Sequence, residues 1–484
     1  MVNIQLVIIV IYLIIMGVIG VFSRKPARDA DGFFVAGRSI PTWQLSGSLV
    51  ATIVGGSATL GVAGLGFSRG ITAAWWLLVG TIGLVILGIF LAGKVRKTGV
   101  YSLPGLVEKQ YGSSVAMASS VLIIIAWLGV IAGQIIATGN ILSGLGWGNP
   151  VMWMIIFTVI TVFYTVLGGQ RADIRTDIIQ AVIIFVGIFV GVAVILPSLG
   201  GLAGLKSALP GDFFSFPLSS RFTAQDLLGY LLIVGLPYVV GADLYSKILS
   251  AKDEKTARKS ALWAALLIIP IGFAGAIIGM GARVLFPGIA AEQSFPVIAS
   301  SALPPVVGGL LLAGLVSATM SSADSCLLSA STILTVDIIK KFKPQTSQRK
   351  VLQLARGAIV IIGILSLVMA LELKGVINSL MFAYTIFSAG VIIPVLFGFY
   401  KDKLKINSVG ALAAIIGGGG LALISKLTDV VNVSQMPVIG SLVAIKRLDL
   451  WALAVSVLLL LAVSFITDKI RGREQNSIAN KETP

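Results

Sequence analysis

Apolar residues run along this chain in blocks of about 20 or more, the length that crosses a bilayer as a helix and far longer than a strand. Short polar or glycine-rich breaks divide the blocks into thirteen predicted helices. They lie near 3–22, 43–68, 72–93, 114–142, 150–168, 176–197, 226–249, 260–286, 304–339, 352–371, 375–400, 407–427 and 449–467. The pattern predicts an all-α polytopic membrane protein whose termini, with an odd number of spans, face opposite sides. The run from Ile4 to Phe22 has no basic residue ahead of it and no small-residue cleavage site after it, so it is expected to be a retained span rather than a signal peptide.

Two spans are interrupted. The second contains Val54, Gly55, Gly56 and Ser57, followed by Gly61, Gly64 and Gly66; the seventh contains Gly235, Leu236, Pro237 and then Gly241. A lone glycine pair more often marks close helix packing than unwinding. Here, however, the interrupted spans are five helices apart, and transporters made of two inverted repeats place broken helices at corresponding positions. This spacing predicts one membrane domain over 1–484. Residues 43–197 form the first five-helix repeat and 226–400 the second, inverted one; spans 3–22 and 407–467 are peripheral, and 468–484 form a cytoplasmic tail.

Of the 484 residues, 57% are hydrophobic and 12% charged, which leaves no segment polar enough for an appended soluble domain. The net charge of +16 would suggest nucleic acid in a soluble protein. Here its distribution gives another meaning. One set of alternate connections holds Arg24, Lys25, Arg28 and Arg38; Lys94, Arg96, Lys97 and Lys109; Arg171 and Arg175; and Lys247, Lys252, Lys255, Arg258 and Lys259. It continues with Lys340, Lys341, Lys343, Arg349 and Lys350, then Lys401, Lys403 and Lys405, and ends with Lys469, Arg471, Arg473 and Lys481. The other set holds only Arg69, Lys206, Arg221, Arg283, Lys374, Lys426, Lys446 and Arg447. The positive-inside bias then predicts an N-terminus outside and a cytoplasmic C-terminus, and the chain is expected in the plasma (inner) membrane. A nucleic-acid partner is not expected. Cys326 is the only cysteine and there is no histidine, so no internal disulfide and no imidazole relay can form. With no lysine expected in the middle of a span, little remains from which to build a catalytic centre, and the chain is not expected to be an enzyme.

The ninth span nevertheless carries a polar cluster: Ser317, Thr319, Ser321, Ser322, Asp324 and Ser325. A carboxylate in hydrocarbon costs at least ~2.5 kcal/mol, so Asp324 is expected to face a cavity, a partner or an ion. Ser317, Ser321 and Ser325 recur every four residues and share a helix face with Asp324. Hydroxyls ending in a carboxylate are hard oxygen ligands, suited to a small cation that drives transport. The alternatives for Asp324 are a buried structural group or a protonated acid. Asp177, at the start of the sixth span, reads equally as a ligand or as an interfacial cap, a role that Asp173 and Arg175 fit better.

The stretch from Gly168-Gly169 through Thr176-Asp177 to Gln180, together with Ala318-Thr-Met-Ser-Ser-Ala-Asp-Ser325, resembles the two signatures of the sodium:solute symporter family. Its members carry proline, glucose, sialic acid, pantothenate or choline. The resemblance spans nearly the whole chain and implies a leucine-transporter-type fold of five-plus-five inverted helices, with Na+ as coupling ion. It implies a first sodium site from the carbonyls of Ala51, Val54 and Ala318 and the hydroxyls of Ser321 and Ser322. A second, deeper site would use Asp177, Ser321, Asp324 and Ser325. Relatives with that site have a hydroxyl where this chain has Asp324, which leaves one sodium, two, or a sodium with a proton all open.

The resemblance also places a solute pocket near the bilayer midplane, with Gly56, Ser57, Ala58, Trp76, Gln134, Tyr238, Tyr384 and Ser388 as expected liners. Trp76 and Tyr384 read equally well as packing or interfacial aromatics. Few of these side chains could pair sugar hydroxyls, which favours an amino acid or carboxylate, although aromatics could also hold a choline-type cation. The expectation is a sodium-coupled symporter that imports a small organic solute by alternating access, with solute, sodium and the lipid bilayer as partners and no obligatory protein partner. A proton-coupled carrier and a choline or sugar carrier of the same fold are the alternatives in transport. A non-transporting solute receptor is the alternative of another class, and the short tail from Lys469 to Pro484 leaves no room for a signalling domain.

Overall fold

The structure, a computed structural model, describes residues 4–22, 30–144, 148–373, 375–430 and 448–479. Arg24, Lys25, Arg28, Lys374, Lys446, Arg447 and Lys481, and the side chain of Ser57, lie outside the described part. Among the described residues the chain is helical, with only isolated bridges between Ile40 and Ala251 and between Ser219 and Phe222.

Among the described residues, ten helices are long and apolar enough to cross a membrane, against the thirteen expected. Two of the ten take in more than one expected span. Ala58–Lys97 is 40 residues long and Pro150–Ser198 is 49, where one crossing needs ~20. Helical hydrogen bonding continues through their connections, so length alone does not mark the crossings. Within Pro150–Ser198 the direction changes at Gly169, whose φ of 61° and ψ of −175° are not helical and disfavour a side chain. Phe33 packs against this glycine.

The elements that build the site follow in chain order: α1 (Ile4–Phe22), α2 (Thr42–Ile53), α3 (Gly56–Arg69), α4 (Trp75–Ile86), α5 (Ser113–Ser143), α6 (Pro150–Ser198), α7 (Ala224–Gly229), α8 (Ala242–Leu249), α9 (Glu254–Leu285), α10 (Pro305–Thr332), α11 (Gln348–Glu372) and α12 (Val376–Phe387). The chain ends with α13 (Ser408–Val430) and α14 (Leu448–Ala479), which pack on each other. Helix α10 is the axis of the molecule. Every residue from Leu311 to Ile333 is buried, against α6, α5, α1, α3 and α2.

Both interrupted spans are broken where the sequence predicts. Helix α2 stops at Val54 (φ −81°, ψ 51°), Gly55 is extended (φ −63°, ψ 160°), and α3 starts afresh at Gly56. Small residues are needed here because α10 passes very close. A Cβ on Gly55 would run into Ser322 Oγ, and one on Gly56 into Thr319 Cγ2. In the seventh span α7 widens into a π turn over Tyr230–Gly235, a short turn follows at Pro237–Val240, and Gly241 is extended (φ −51°, ψ 133°) before α8. Helix α9 closes against α3 through small residues, where a Cβ on Gly66 or Gly279 would strike the Ala276 or Ala63 carbonyl. Residues of both breaks, together with residues of α5 and α10, surround one interior cavity.

Candidate functional site

At the α2 break the main chain runs out of helical partners, and α10 supplies hydroxyls to meet it. Ser321 Oγ donates to the Ala51 carbonyl at 2.8 Å and to the Ala318 carbonyl at 3.1 Å, and Ser322 Oγ donates to the Thr52 carbonyl at 2.6 Å. Of the five expected ligands of the first cation site, Ala51, Ala318 and Ser321 thus share one oxygen cluster. Ser322 lies beside it, turned to Thr52, and Val54 is the buried cap of α2.

A second cluster lies deeper, built from i, i+4 pairs on three helices, each pair presenting two side chains to the same side, with a lysine from a fourth. The pairs are Ser48 and Thr52 on α2, Asp173 and Asp177 on α6, and Ser321 and Ser325 on α10, and Lys247 comes from α8. Lys247 has no solvent exposure. Its ammonium places its three donors on Asp177 Oδ2 at 2.5 Å, Ser48 Oγ at 2.7 Å and Asp173 Oδ2 at 2.8 Å. Ser325 Oγ donates to the Ser321 carbonyl at 2.7 Å and Asp173 Oδ1 at 3.1 Å, and lies 3.3 Å from Thr52 Oγ1, so it joins the two clusters. Asp324, also fully buried, accepts from the Ser325 amide at 2.8 Å through Oδ1, and its Oδ2 has no hydrogen-bond partner among the described residues. Carboxylate oxygens of Asp173, Asp177 and Asp324 lie within 4.8 Å of one another. If all three are ionised, one ammonium leaves two negative charges uncompensated, and a monovalent cation or a proton can offset one of them.

Two sequence expectations change here. Lys247 is not one of the cytoplasmic loop cations but an interior ion-pair partner, and Asp173 is buried beside it rather than interfacial; Arg175 is exposed. The signal was present for Lys247, which falls inside the span predicted at 226–249. Its proximity to Lys252 and Lys255 disguised it. Lys252, Lys255, Arg258 and Lys259 still supply the positive charge of that connection.

Beside these clusters is an interior cavity of about 40 Å³, on a scale where one water needs ~10–15 Å³. Its walls include Thr52, Gly55 and Ala58, Trp127 and Gln134 of α5, Tyr238 and Asp243 around the second break, Ser322 and Cys326 of α10, and Tyr384 of α12. In this conformation it has room for no more than a few waters, and an organic solute would need the walls to part. Four expected liners, Ala58, Gln134, Tyr238 and Tyr384, are here together; the rings of the last two stand 6.3 Å apart. Gly56 packs on α10, Trp76 is buried edge-on against Tyr230, and Ser388 Oγ donates to the Ile233 carbonyl, so these three do not line it. Asp243, Trp127 and Cys326 are liners that the sequence pattern did not reveal.

Residues 33–418 match the sodium:solute symporter family. Among characterised proteins, the sodium/glucose cotransporter of Vibrio parahaemolyticus is 26% identical over 465 residues, covering 87% of this chain and 85% of that one. The sodium/myo-inositol cotransporter 2 of Rattus norvegicus is 26% identical over 489 residues, covering 89% and 71%. Among solved structures, a substrate-bound, outward-open Na+-coupled sialic acid symporter superposes with a TM-score of 0.77 at 18% identity, covering 96% of this chain and 97% of that one. MhsT in complex with L-phenylalanine superposes with a TM-score of 0.56 at 17% identity, covering 88% and 98%. The fold is of the leucine-transporter type.

Proposed function

The chain belongs to the sodium:solute symporter family, and from that premise we propose that it imports a small carboxylate-bearing solute, an amino acid or simple carboxylate, with sodium. Sodium-coupled symport through a multi-pass membrane protein is the activity of the family. The observation that carries the assignment to named residues is the bond from Ser321 Oγ to the Ala51 carbonyl, which ties α10 to the broken end of α2. A sodium ion bound among Ala51, Val54, Ala318, Ser321 and Ser322 replaces that bond with ion–oxygen contacts and holds the break in one geometry. The ion must bind the two access states differently for its gradient to do work, and each charge crossing the membrane contributes ~2.3 kcal/mol per 100 mV.

The solute sits at the α2–α3 break. Helix α3 is 14 residues long and begins at Gly56 with no side-chain cap, so its first N–H groups and dipole favour a carboxylate near Gly55 and Ala58. Residues 43–197 and 226–400 form the inverted repeats. The N-terminus is outside, and the protein resides in the plasma (inner) membrane.

A second reading concerns stoichiometry. Asp324 Oδ2 lacks a partner within a set of three carboxylates and one ammonium, which favours a further sodium at Asp177, Asp324 and Ser325 or a proton on Asp324. Uptake of radiolabelled amino acids and carboxylates into proteoliposomes tests both. An inward sodium gradient should drive accumulation, and a pH gradient without sodium should not. Accumulation driven by pH alone would replace sodium by proton coupling.

A further inference from the structure

The cavity has one charged side chain in its wall among the described residues, and it is negative. Asp243 faces it together with Trp127, Tyr238 and Tyr384. No lysine or arginine is among the liners. The ammonium one turn further along α8, Lys247, is taken up by Asp173, Asp177 and Ser48. Trp127 is only 3% exposed, yet its Nε1–H has no acceptor among the described residues, so this wall also presents an unpaired donor. A carboxylate at membrane depth without a counter-charge is expensive and calls for a cation. Three aromatic rings beside it favour an organic cation, whose charge is drawn to their faces, over a hydrated metal ion.

We propose that Asp243 recognises a protonated or quaternary nitrogen of the transported solute, within a wall formed by Trp127, Tyr238 and Tyr384. This rests on the symport reading above and narrows it. A simple carboxylate would meet the Asp243 charge and be repelled, whereas an amino acid or betaine presents a positive pole to Asp243 and a negative pole to the start of α3. Gly55 and Asp243 line the same cavity, so the two poles of one small molecule can be served together. A sugar leaves the carboxylate without a counter-charge.

Thermal unfolding of the purified full-length protein in sodium chloride tests this with alanine, proline, glycine betaine and choline, against propionate (alanine without its amino group) and glucose. At least one nitrogen cation should raise the unfolding temperature, and propionate and glucose should not. Asp243→Asn should weaken the stabilising probe by about tenfold or more, the scale of one charge-assisted contact, while keeping the rise that sodium alone produces. If that variant does not fold, Trp127→Leu should weaken the same probe, and the alanine–propionate comparison needs no variant. Stabilisation by propionate or glucose, no response to any nitrogen cation, or unchanged affinity in Asp243→Asn overturns the proposal. Loss of the difference between sodium and potassium in the unliganded wild type would strike the symport reading instead.

Discussion

Replacing Lys247 by methionine keeps the aliphatic stem and removes the ammonium from between Asp173 and Asp177. Three contacts of 2.5, 2.7 and 2.8 Å disappear, and two interior carboxylates lose their counter-charge. Breaking a buried pair in this way costs about 3–5 kcal/mol. The size is consistent with charge repulsion: at the 4.8 Å limit separating the carboxylate oxygens, two unit charges repel by about 3.5 kcal/mol at an effective dielectric of 20. A sodium ion can take up part of that charge. The assay is thermal unfolding in sodium or potassium chloride at equal ionic strength. Lys247→Met should unfold at a clearly lower temperature in potassium, and its sodium–potassium gap should exceed the wild-type gap. Adding Asp177→Asn should recover part of the loss, because one of the unpaired charges is gone, so the two substitutions should not add. A variant as stable as wild type in both salts would refute the ion-pair account.

Ser321→Ala should fold but lose most of its sodium-dependent stabilisation, read as the shift in unfolding temperature against sodium concentration, since a ligand of the native state stabilises by RT ln(1 + [L]/Kd). Asp177→Asn should cost stability as well as sodium response, because it leaves Lys247 with a single carboxylate; an unchanged unfolding temperature would contradict that. Gly56→Val should overpack the α3–α10 contact at a cost of about 1–3 kcal/mol, and Thr319→Ala in the same chain should relieve part of it, by unfolding temperature. A cysteine placed at Ser220 should be labelled by an impermeant thiol reagent from outside whole cells and one at Ser347 should not. The reverse pattern would invert the topology.

Periodicity made the α10 stripe legible, because residues four apart share a helix face whatever surrounds them. Thus Ser317, Ser321, Ser325 and Asp324 stand out from the sequence. The break at Gly55-Gly56 was legible for a related reason, since a glycine pair inside an apolar run either packs closely or unwinds, and here it does both. The partners of the stripe were not legible. Lys247 meets Asp173 and Asp177 across 74 and 70 positions of chain, and a lysine at the end of a span looks like any loop cation until α8 is seen to turn inward after Gly241. Asp243 was hidden by the same turn. Trp76 failed as a cavity liner because apolar spans such as α4 lack a polar face to fix their rotation, and its ring turns instead to Tyr230.

Coupling rests on a sodium ion held between the α2 break and α10, and equilibrium binding of radiolabelled sodium to the purified wild type and to Ser321→Ala tests for that ion. Binding should be saturable and not displaced by potassium, and it should be lost or strongly weakened in a folded Ser321→Ala. Equal binding by the two proteins, or displacement by potassium as effective as by sodium, would contradict it.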